Sequence, residues 1–166
     1  MFDLPSTSHE DHWDGTAVHS GFPYGTWSTI LMMLFPASKL FFLTPMCRIT
    51  ANSPLVMELQ TMSTTPTFQL RTLLVIDIRK KRHWRVGISG QEKQIKDLTD
   101  AAFTGSLSEY ANARSKVYWI SVIGSHWRYG VSDEQDSRPL IDWHHTIDDE
   151  DSYKDLQELA GLVERL

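Results

Sequence analysis

Hydrophobic and polar positions follow the clearest pattern in the second half of the chain. Residues 73–78 are apolar on both faces of an extended strand, which is typical of the centre of a sheet that helices cover on both sides. Residues 91–107 instead place apolar side chains every three or four positions, the spacing of a helix with one buried face. The two patterns predict an α/β core around one central strand.

A strand pair and a last helix are predicted to follow. Residues 117–123 are apolar on both faces, residues 124–125 supply a hairpin turn, and residues 126–131 alternate as an edge strand does. Ser152 is the predicted N-cap of the last helix, and acidic residues 148–151 suit its positive end. Its apolar stripe consists of Tyr153, Leu156, Leu159, Val163 and Leu166. The whole pattern predicts an α/β (α+β) fold with a central mixed β-sheet flanked by helices.

The first part of the chain is less regular. Residues 1–26 show no periodicity and are predicted to form a loosely ordered N-terminal arm. A single α/β domain is predicted over residues 27–166, with its best-defined core at 65–166. Residues 55–60 fit a short helix and a short strand equally well.

One apolar segment approaches the length of a membrane span. Residues 27–46 are largely apolar, but Pro36, Ser38 and Lys39 interrupt their middle. We therefore predict a buried helix, turn and strand, and no membrane span. The apolar residues 30–43 are also a candidate surface for a protein partner or for the missing part of a larger chain.

Composition narrows the class of protein. The chain has 166 residues, enough for one good core, and its only cysteine, Cys47, excludes an intramolecular disulfide. A lone cysteine and an N-terminus without a signal-peptide pattern fit an intracellular protein of the nucleus or cytoplasm. Its glycines do not match a dinucleotide or phosphate loop, so no nucleotide cofactor is expected.

Charge is distributed unevenly along the chain. The net charge of −5 gives no general attraction for nucleic acid, so any such partner requires a local patch. Residues 71–97 hold eight basic and three acidic residues, a balance of +5, whereas residues 132–166 hold three basic and eleven acidic residues. The patch is therefore predicted just after the central strand.

The residues of this patch suit nucleic acid. Between positions 80 and 85, four basic side chains are interspersed with the aromatic rings of His83 and Trp84, as phosphate contacts and base stacking require. The same pattern fits a solvated hairpin tip that pairs with the acidic C-terminal region. The predicted nucleic-acid-binding residues are Lys80, Lys81, Arg82, Trp84 and Arg85; we call residues 80–85 the basic segment.

The order of these elements resembles a known superfamily. A strand, a strand ending in Asp77-Ile78-Arg79-Lys80, a helix and a strand pair are similar to the core of the PD-(D/E)XK nucleases, the restriction-endonuclease-like fold, in the form common in fungal genomes. In that pattern a Pro-Asp opens one strand, and an acidic residue, any residue and a lysine close the next. The corresponding positions here are Pro66-Thr67 and Asp77-Ile78-Arg79.

This resemblance implies a magnesium-dependent nuclease with altered chemistry. In such a site two carboxylates hold Mg²⁺, which polarises the phosphodiester and activates water, while a lysine steers that water. Thr67 lacks one of the carboxylates, and Arg79 can neutralise a phosphate but cannot act as a base. Hydrolysis is therefore expected to be impaired.

Other polar residues are candidates for the same strand end. In the wider superfamily a preceding acidic residue and a helix glutamine belong to the site, which suggests Glu58, Glu92 and Gln94 here. The resemblance thus gives Asp77, Arg79, Glu58 and Gln94 as candidate catalytic residues, and Asp77 and Glu92 as candidate Mg²⁺ ligands. In the competing interpretation Asp77 pairs with Arg79 or Arg71, and the other three are solvated.

Function at this point is an expectation with two alternatives. We expect a nucleic-acid-binding, nuclease-like domain whose Mg²⁺-dependent phosphodiester hydrolysis is impaired. The alternatives are a non-catalytic protein-interaction module and a truncated remnant of a larger protein.

Overall fold

The computed structural model describes residues 23–45, 55–63, 69–79, 88–106, 116–133 and 135–166. Within these ranges it has three α-helices, one short 3-10 turn and six strands. The helices are α1 (Pro23–Leu34), α2 (Ile88–Ser106) and α3 (Glu150–Glu164), and the 3-10 turn is Ala37–Lys39. The strands are β1 (Phe41–Pro45), β2 (Leu55–Ser63), β3 (Gln69–Arg79), β4 (Val117–Ile123), β5 (His126–Ser132) and β6 (Ser137–Pro139).

The six strands form one mixed sheet in chain order. Every neighbouring pair is antiparallel except β3 and β4, which are parallel. Parallel neighbours need a crossover connection, and α2 lies in the connection between β3 and β4. The predicted α+β class, with a mixed sheet and accompanying helices, is confirmed.

The central strand β3 is longer than predicted. The strand predicted at residues 73–78 is part of β3, which begins at Gln69 and continues to Arg79. The pairing with β2 shifts between Leu59 and Gln60, so that Leu73 has no partner and forms a bulge. Beyond the bulge, alternate residues of β3 point to opposite faces of the sheet.

The main core lies between one face of the sheet and the helices α1 and α3. Trp127 at its centre is fully buried and meets the ring of Trp27 edge to face at 5.5 Å. Its indole N–H lies 3.2 Å from both the Thr146 carbonyl and the Ser152 hydroxyl, which accept its hydrogen. The other large buried side chains of this core include Leu31, Phe35, Met57, Leu59, Leu74, Ile76, Ile120, Tyr129, Leu156, Leu159 and Val163.

The opposite face of the sheet is covered by α2 and is less apolar. Its hydrophobic cluster is small and consists of Val56, Val75 and Val117, with Leu98 of α2 packed against it. Because Asp77 lies two positions after Val75 on β3, its side chain points to this face. This α2 face therefore carries the polar residues that are described below.

The N-terminal elements confirm one prediction and extend another. The segment 27–46 contains a helix, a turn and a strand, as predicted, although α1 already begins at Pro23, inside the stretch assigned to the arm. The remaining arm residues, 1–22, lie outside the described residues. In the described ranges, no helix has the length and apolarity needed to cross a membrane. Residues 55–60, for which the sequence predicts either a helix or a strand, belong to β2.

Two predictions for the C-terminal half were wrong. β5 is not an edge strand, because β6 pairs with its residues 130–132 and Trp127 forms a bridge to His144. The N-cap of α3 is Asp149, not Ser152, which lies inside the helix and is fully buried. The buried stripe correspondingly includes Ser152 and Ala160, while the predicted Tyr153 and Leu166 are exposed.

The Asp149 cap makes folding stability depend on pH. The backbone N–H of Ser152, 2.6 Å from Asp149 Oδ1, lowers the pKa of this carboxyl below its usual 3.8. Since the folded pKa is the lower one, the stabilisation is present above the unfolded pKa and is lost as the pH falls through the folded pKa. We expect Asp149→Ala to lower the melting temperature near neutral pH, with the difference from wild type narrowing below pH 3.8. Thermal unfolding against pH measures this, and the same change at Asp148 should leave the melting temperature nearly unchanged.

Candidate functional site

A row of polar side chains crosses the α2 face of the sheet. Asp77 on β3, Ser121 on β4 and Arg128 on β5 are register partners, so their side chains lie next to one another on one face. All three residues are buried. The row ends on β2 at Val56, which lies opposite Asp77.

This row lies close to the carboxyl ends of the two parallel strands. Arg79 is the last residue of β3 and Ile123 the last of β4, and they are partners in the parallel ladder. Residues near the start of α2 reach the same place, because Gln94 contacts Arg79 and Glu92 contacts Arg128. A helix N-terminus has free N–H groups and a positive dipole end, and in open α/β sheets ligands bind at the carboxyl ends of the strands. This is therefore the candidate functional site.

Three predicted site residues meet here. The Nε of Arg79 donates a hydrogen bond to Oδ2 of Asp77 at 3.1 Å, and its Nη2 donates to the side-chain oxygen of Gln94. The Asp77 side chain is fully buried and that of Arg79 nearly so. Of the two pairings considered for Asp77, the structure shows the one with Arg79, while Arg71 donates to the backbone carbonyl of Leu166 at 3.5 Å.

A second ion pair lies beside the first. Nη2 of Arg128 is 3.0 Å from Oε1 of Glu92. The guanidinium also lies over the ring of Trp143, 4.6 Å from its centroid, and 5.8 Å from that of Trp119. Contacts of this kind between a guanidinium and an aromatic face are attractive. Arg128 is thus a functional candidate that the sequence did not indicate, because a basic residue between Trp127 and Tyr129 fits the solvent side of an alternating strand equally well.

Glu58 lies on the same face but has other partners. It is opposite Val75 on β3 and accepts hydrogen bonds from Gln60 at 3.1 Å and from the hydroxyl of Thr72 at 3.2 Å. It lies diagonally from Asp77, a relation that separates residues on neighbouring strands by about 7–8 Å. The structure therefore does not show Glu58 in the cluster of Asp77, Arg79 and Gln94.

The residues described at this site do not fit Mg²⁺. Asp77 has a guanidinium on one carboxylate oxygen, and the other candidate ligand, Glu92, is held by a different arginine. The residue opposite Asp77, where a second carboxylate would have to lie, is Val56. Across the ranges that the structure describes, no three acidic, histidine or cysteine side chains form a group that could hold a metal ion. The described residues of this site therefore do not supply the several oxygen ligands that a hard cation such as Mg²⁺ prefers.

Several buried polar atoms of the α2 face have no hydrogen-bond partner in the described part of the chain. They are both side-chain amide atoms of Gln91, the hydroxyl of Ser121, Nε of Arg128 and Nε1 of Trp119. Gln91 lies one helical turn before Gln94, and Ser121 lies between Asp77 and Arg128 in the row. Buried polar groups are usually paired, so these atoms can offer hydrogen bonds to a bound group.

Some predicted residues lie outside the described ranges. These are the basic segment, with Lys80, Lys81, Arg82, Trp84 and Arg85, and also Pro66 and Thr67. In the sequence the basic segment follows Arg79 directly and precedes α2 by two residues. Gln69 is the first described residue after Pro66 and Thr67, and it begins β3. Eight steps of extended strand separate Gln69 from Asp77, which places the two residues about 26 Å apart. The strands that run alongside Asp77 are β2 and β4.

Comparisons of the chain with protein-family models, with curated proteins and with solved structures found no match.

Proposed function

We propose that this protein binds nucleic acid at the carboxyl end of β3, on a restriction-endonuclease-like core, and that it does so without Mg²⁺-dependent cleavage. The observation that carries the proposal is the cluster in which Arg79 contacts the buried Asp77 and the partly buried Gln94. It lies where such a nuclease would have its site and directly precedes the basic segment in the sequence.

The order of the elements supports the core. β2, β3 with Asp77 near its end, α2 and the pair of β4 and β5 follow one another as the resemblance implies. The helix glutamine of that resemblance corresponds to Gln94, and it contacts the residue in the lysine position, Arg79. Arg79 and Gln94, 15 positions apart in the sequence, thus come together as a site of this kind requires.

Charge supports nucleic acid as the ligand. The chain from 71 to 97 has a balance of +5 in a protein whose net charge is −5, so positive charge is concentrated around the end of β3. Phosphate contacts from lysine and arginine supply most of the affinity of non-specific nucleic-acid binding. The interleaved Trp84 adds an aromatic ring on which a base can stack.

The ion pair at Asp77 supports binding without cleavage. Arg79 holds one oxygen of the carboxylate, and an arginine keeps its positive charge at all physiological pH values. It can therefore neutralise a phosphate but cannot accept a proton from the attacking water. The charge that Mg²⁺ would supply next to Asp77 is already present as a guanidinium.

Binding and cleavage assays with single- and double-stranded DNA and RNA test this proposal. We expect wild type to bind with the same affinity in EDTA, Mg²⁺ and Mn²⁺, and to give no more cleavage than Asp77→Asn. Affinity should fall with salt, and neutralising about four phosphates of a single strand would give a slope of about −3 in log K against log salt. The double variant Lys81→Gln/Arg82→Gln should lose at least about tenfold in affinity at moderate salt.

The matched control removes two positive charges elsewhere. Lys39 and Lys154 pair with Glu164 and Glu150 and lie outside the predicted binding surface, so Lys39→Gln/Lys154→Gln should bind nearly as wild type does. Metal-dependent cleavage by wild type but not by Asp77→Asn would refute binding without catalysis. If wild type binds none of the four nucleic acids, the whole proposal is wrong.

An exposed apolar surface favours a second candidate function, contact with a protein partner through residues 30–43. Met32 and Met33 on α1 are 64% and 78% exposed, and Leu40 is exposed after them. Exposed methionines are frequent on surfaces that adapt to protein partners. The nucleic-acid assay separates the two candidates, because this surface has no positive charge for a nucleic acid except that of Lys39, which the control variant removes.

A further inference from the structure

We infer that Arg128 is a second phosphate-binding group of the nucleic-acid site and that Glu92 occupies it in the free protein. The inference rests on the proposed function, since the phosphate is that of a bound nucleic acid. It adds Arg128, on β5, to a site that otherwise lies at the end of β3. It also means that the carboxylate of Glu92 competes with the phosphate for Arg128.

The first argument is the state of the Arg128 guanidinium. Nε and Nη2 lie on the same edge of an arginine and together form a fork that matches two oxygens of a phosphate or a carboxylate. Here Nη2 donates to Glu92 at 3.0 Å, while Nε is buried and has no hydrogen-bond partner among the described residues. Glu92 therefore uses half of the fork, and a phosphate could use both halves.

The second argument is that Arg128 is held in place independently of Glu92. Its side chain is only 11% exposed and lies against the rings of Trp143 and Trp119. A guanidinium that is already fixed in orientation loses little conformational entropy when it binds a ligand. Arg128 is thus prepared for an anion.

The third argument is that Glu92 can leave. Its side chain is 58% exposed, on the outer side of the first turns of α2, and water can replace the arginine as its partner. Ion pairs with an exposed member contribute little to stability, so breaking this one is inexpensive. A phosphate of a nucleic acid that is already bound at Arg79 would compete at a high effective concentration.

The fourth argument is the position of Arg128 relative to Arg79. Both point to the α2 face, and two strand spacings, about 10 Å, separate their strands. The strand between them, β4, carries Ser121, whose buried hydroxyl has no partner in the described part of the chain, and the buried amide of Gln91 on α2 has none there either. A single nucleic-acid strand that reaches Arg79 therefore finds further hydrogen-bonding groups on the way to Arg128.

The test compares two substitutions on α2 that make the same change in charge. Glu92→Gln removes the competitor and should strengthen binding of a single-stranded oligonucleotide about two- to fivefold, as expected for loss of an ion pair of this exposure. Asp97 lies on the same helix, is exposed and is away from Arg128. Asp97→Asn should therefore change the affinity for the oligonucleotide by less than about twofold. Both are measured by fluorescence anisotropy at several salt concentrations.

A substitution at Arg128 completes the design. Arg128→Gln in the Glu92→Gln background removes the positive charge, so it should abolish the gain and make the salt slope shallower by about 0.7, the share of one phosphate contact. Thermal unfolding shows whether this variant is folded. If it is not, the Nε–H resonance of Arg128 in the wild-type NMR spectrum replaces it, and it should shift when the oligonucleotide is added.

The outcomes separate this inference from the proposed function. If wild type binds the oligonucleotide, and Glu92→Gln changes its affinity no more than Asp97→Asn does, Arg128 does not bind phosphate. The proposed function then stands without it. An Arg128 resonance that does not move on binding leads to the same conclusion. If wild type binds no oligonucleotide, the proposed function is wrong and this inference falls with it.

Discussion

Replacing Arg79 by methionine is expected to destabilise the folded protein by about 3–5 kcal/mol, the usual effect of removing one partner of a buried ion pair. Asp77 is fully buried, and the guanidinium of Arg79 lies 3.1 Å from one of its oxygens. Methionine has a similar length but no charge, so the carboxylate of Asp77 would lose its ion pair with the guanidinium. The free energy of unfolding in urea measures the effect.

The control makes the same substitution on the same strand. Arg71 is partly exposed, and its described contact is a 3.5 Å hydrogen bond to the carbonyl of Leu166, so Arg71→Met should change stability by less than about 1 kcal/mol. The double variant Asp77→Asn/Arg79→Met removes both charges and should recover part of the loss. Equal, small losses for Arg79→Met and Arg71→Met would show that the ion pair does not form.

The ion pair between Asp77 and Arg79 gives a second explanation for the spacing of Asp77-Ile78-Arg79 in the sequence. An acidic residue followed two positions later by a basic one is the spacing of a nuclease strand, and it is also the spacing that places two side chains on one face of any strand. The sequence left both interpretations open. The structure shows Asp77 buried and paired with Arg79, and only in the proposed function does this pair also present a positive group to a phosphate.

Several elements could be predicted because their signals are local. The strand at 73–78, the strand at 117–123 and the helix at 91–107 have periodic patterns that need no knowledge of the rest of the chain, and all three were found with small shifts at their ends. β6 has only three residues, one of them Pro139, and gave no periodic signal. Without it, β5 had the pattern of an edge strand.

The missed features depend on tertiary contacts. Arg128 and Glu92 are 36 positions apart and meet because of the register of β4 with β5 and the course of α2, neither of which a local pattern shows. Asp149 and Ser152 are both good N-caps by residue type. In the structure the Ser152 hydroxyl lies in the core beside the indole N–H of Trp127, while the carboxylate of Asp149 accepts the backbone N–H of Ser152.

The contact between β4 and β5 leads to the second large effect. Gly130 is opposite Trp119, and a Cβ atom at Gly130 would lie 2.2 Å from Cζ2 of that ring and 2.3 Å from the backbone oxygen of Arg138. The backbone oxygen belongs to β6 and cannot turn away as a flexible side chain can. We therefore expect Gly130→Ala to destabilise the protein by about 3 kcal/mol, the upper end of the usual range for overpacking.

The matched control is the same change at Gly161, three residues before the end of α3. A Cβ atom there has its nearest neighbour, Nη1 of Arg165, at 3.7 Å, so Gly161→Ala should stabilise the protein by about 0.5–1 kcal/mol through its higher helix propensity. Urea unfolding of the two variants should give changes of opposite sign. Because Trp119 also lies against the guanidinium of Arg128, Gly130→Ala should weaken oligonucleotide binding under conditions in which it remains folded. A variant at Gly130 as stable as wild type would mean that the Trp119 ring does not lie across β5, and the fixed orientation of Arg128 would then lose one of its two aromatic supports.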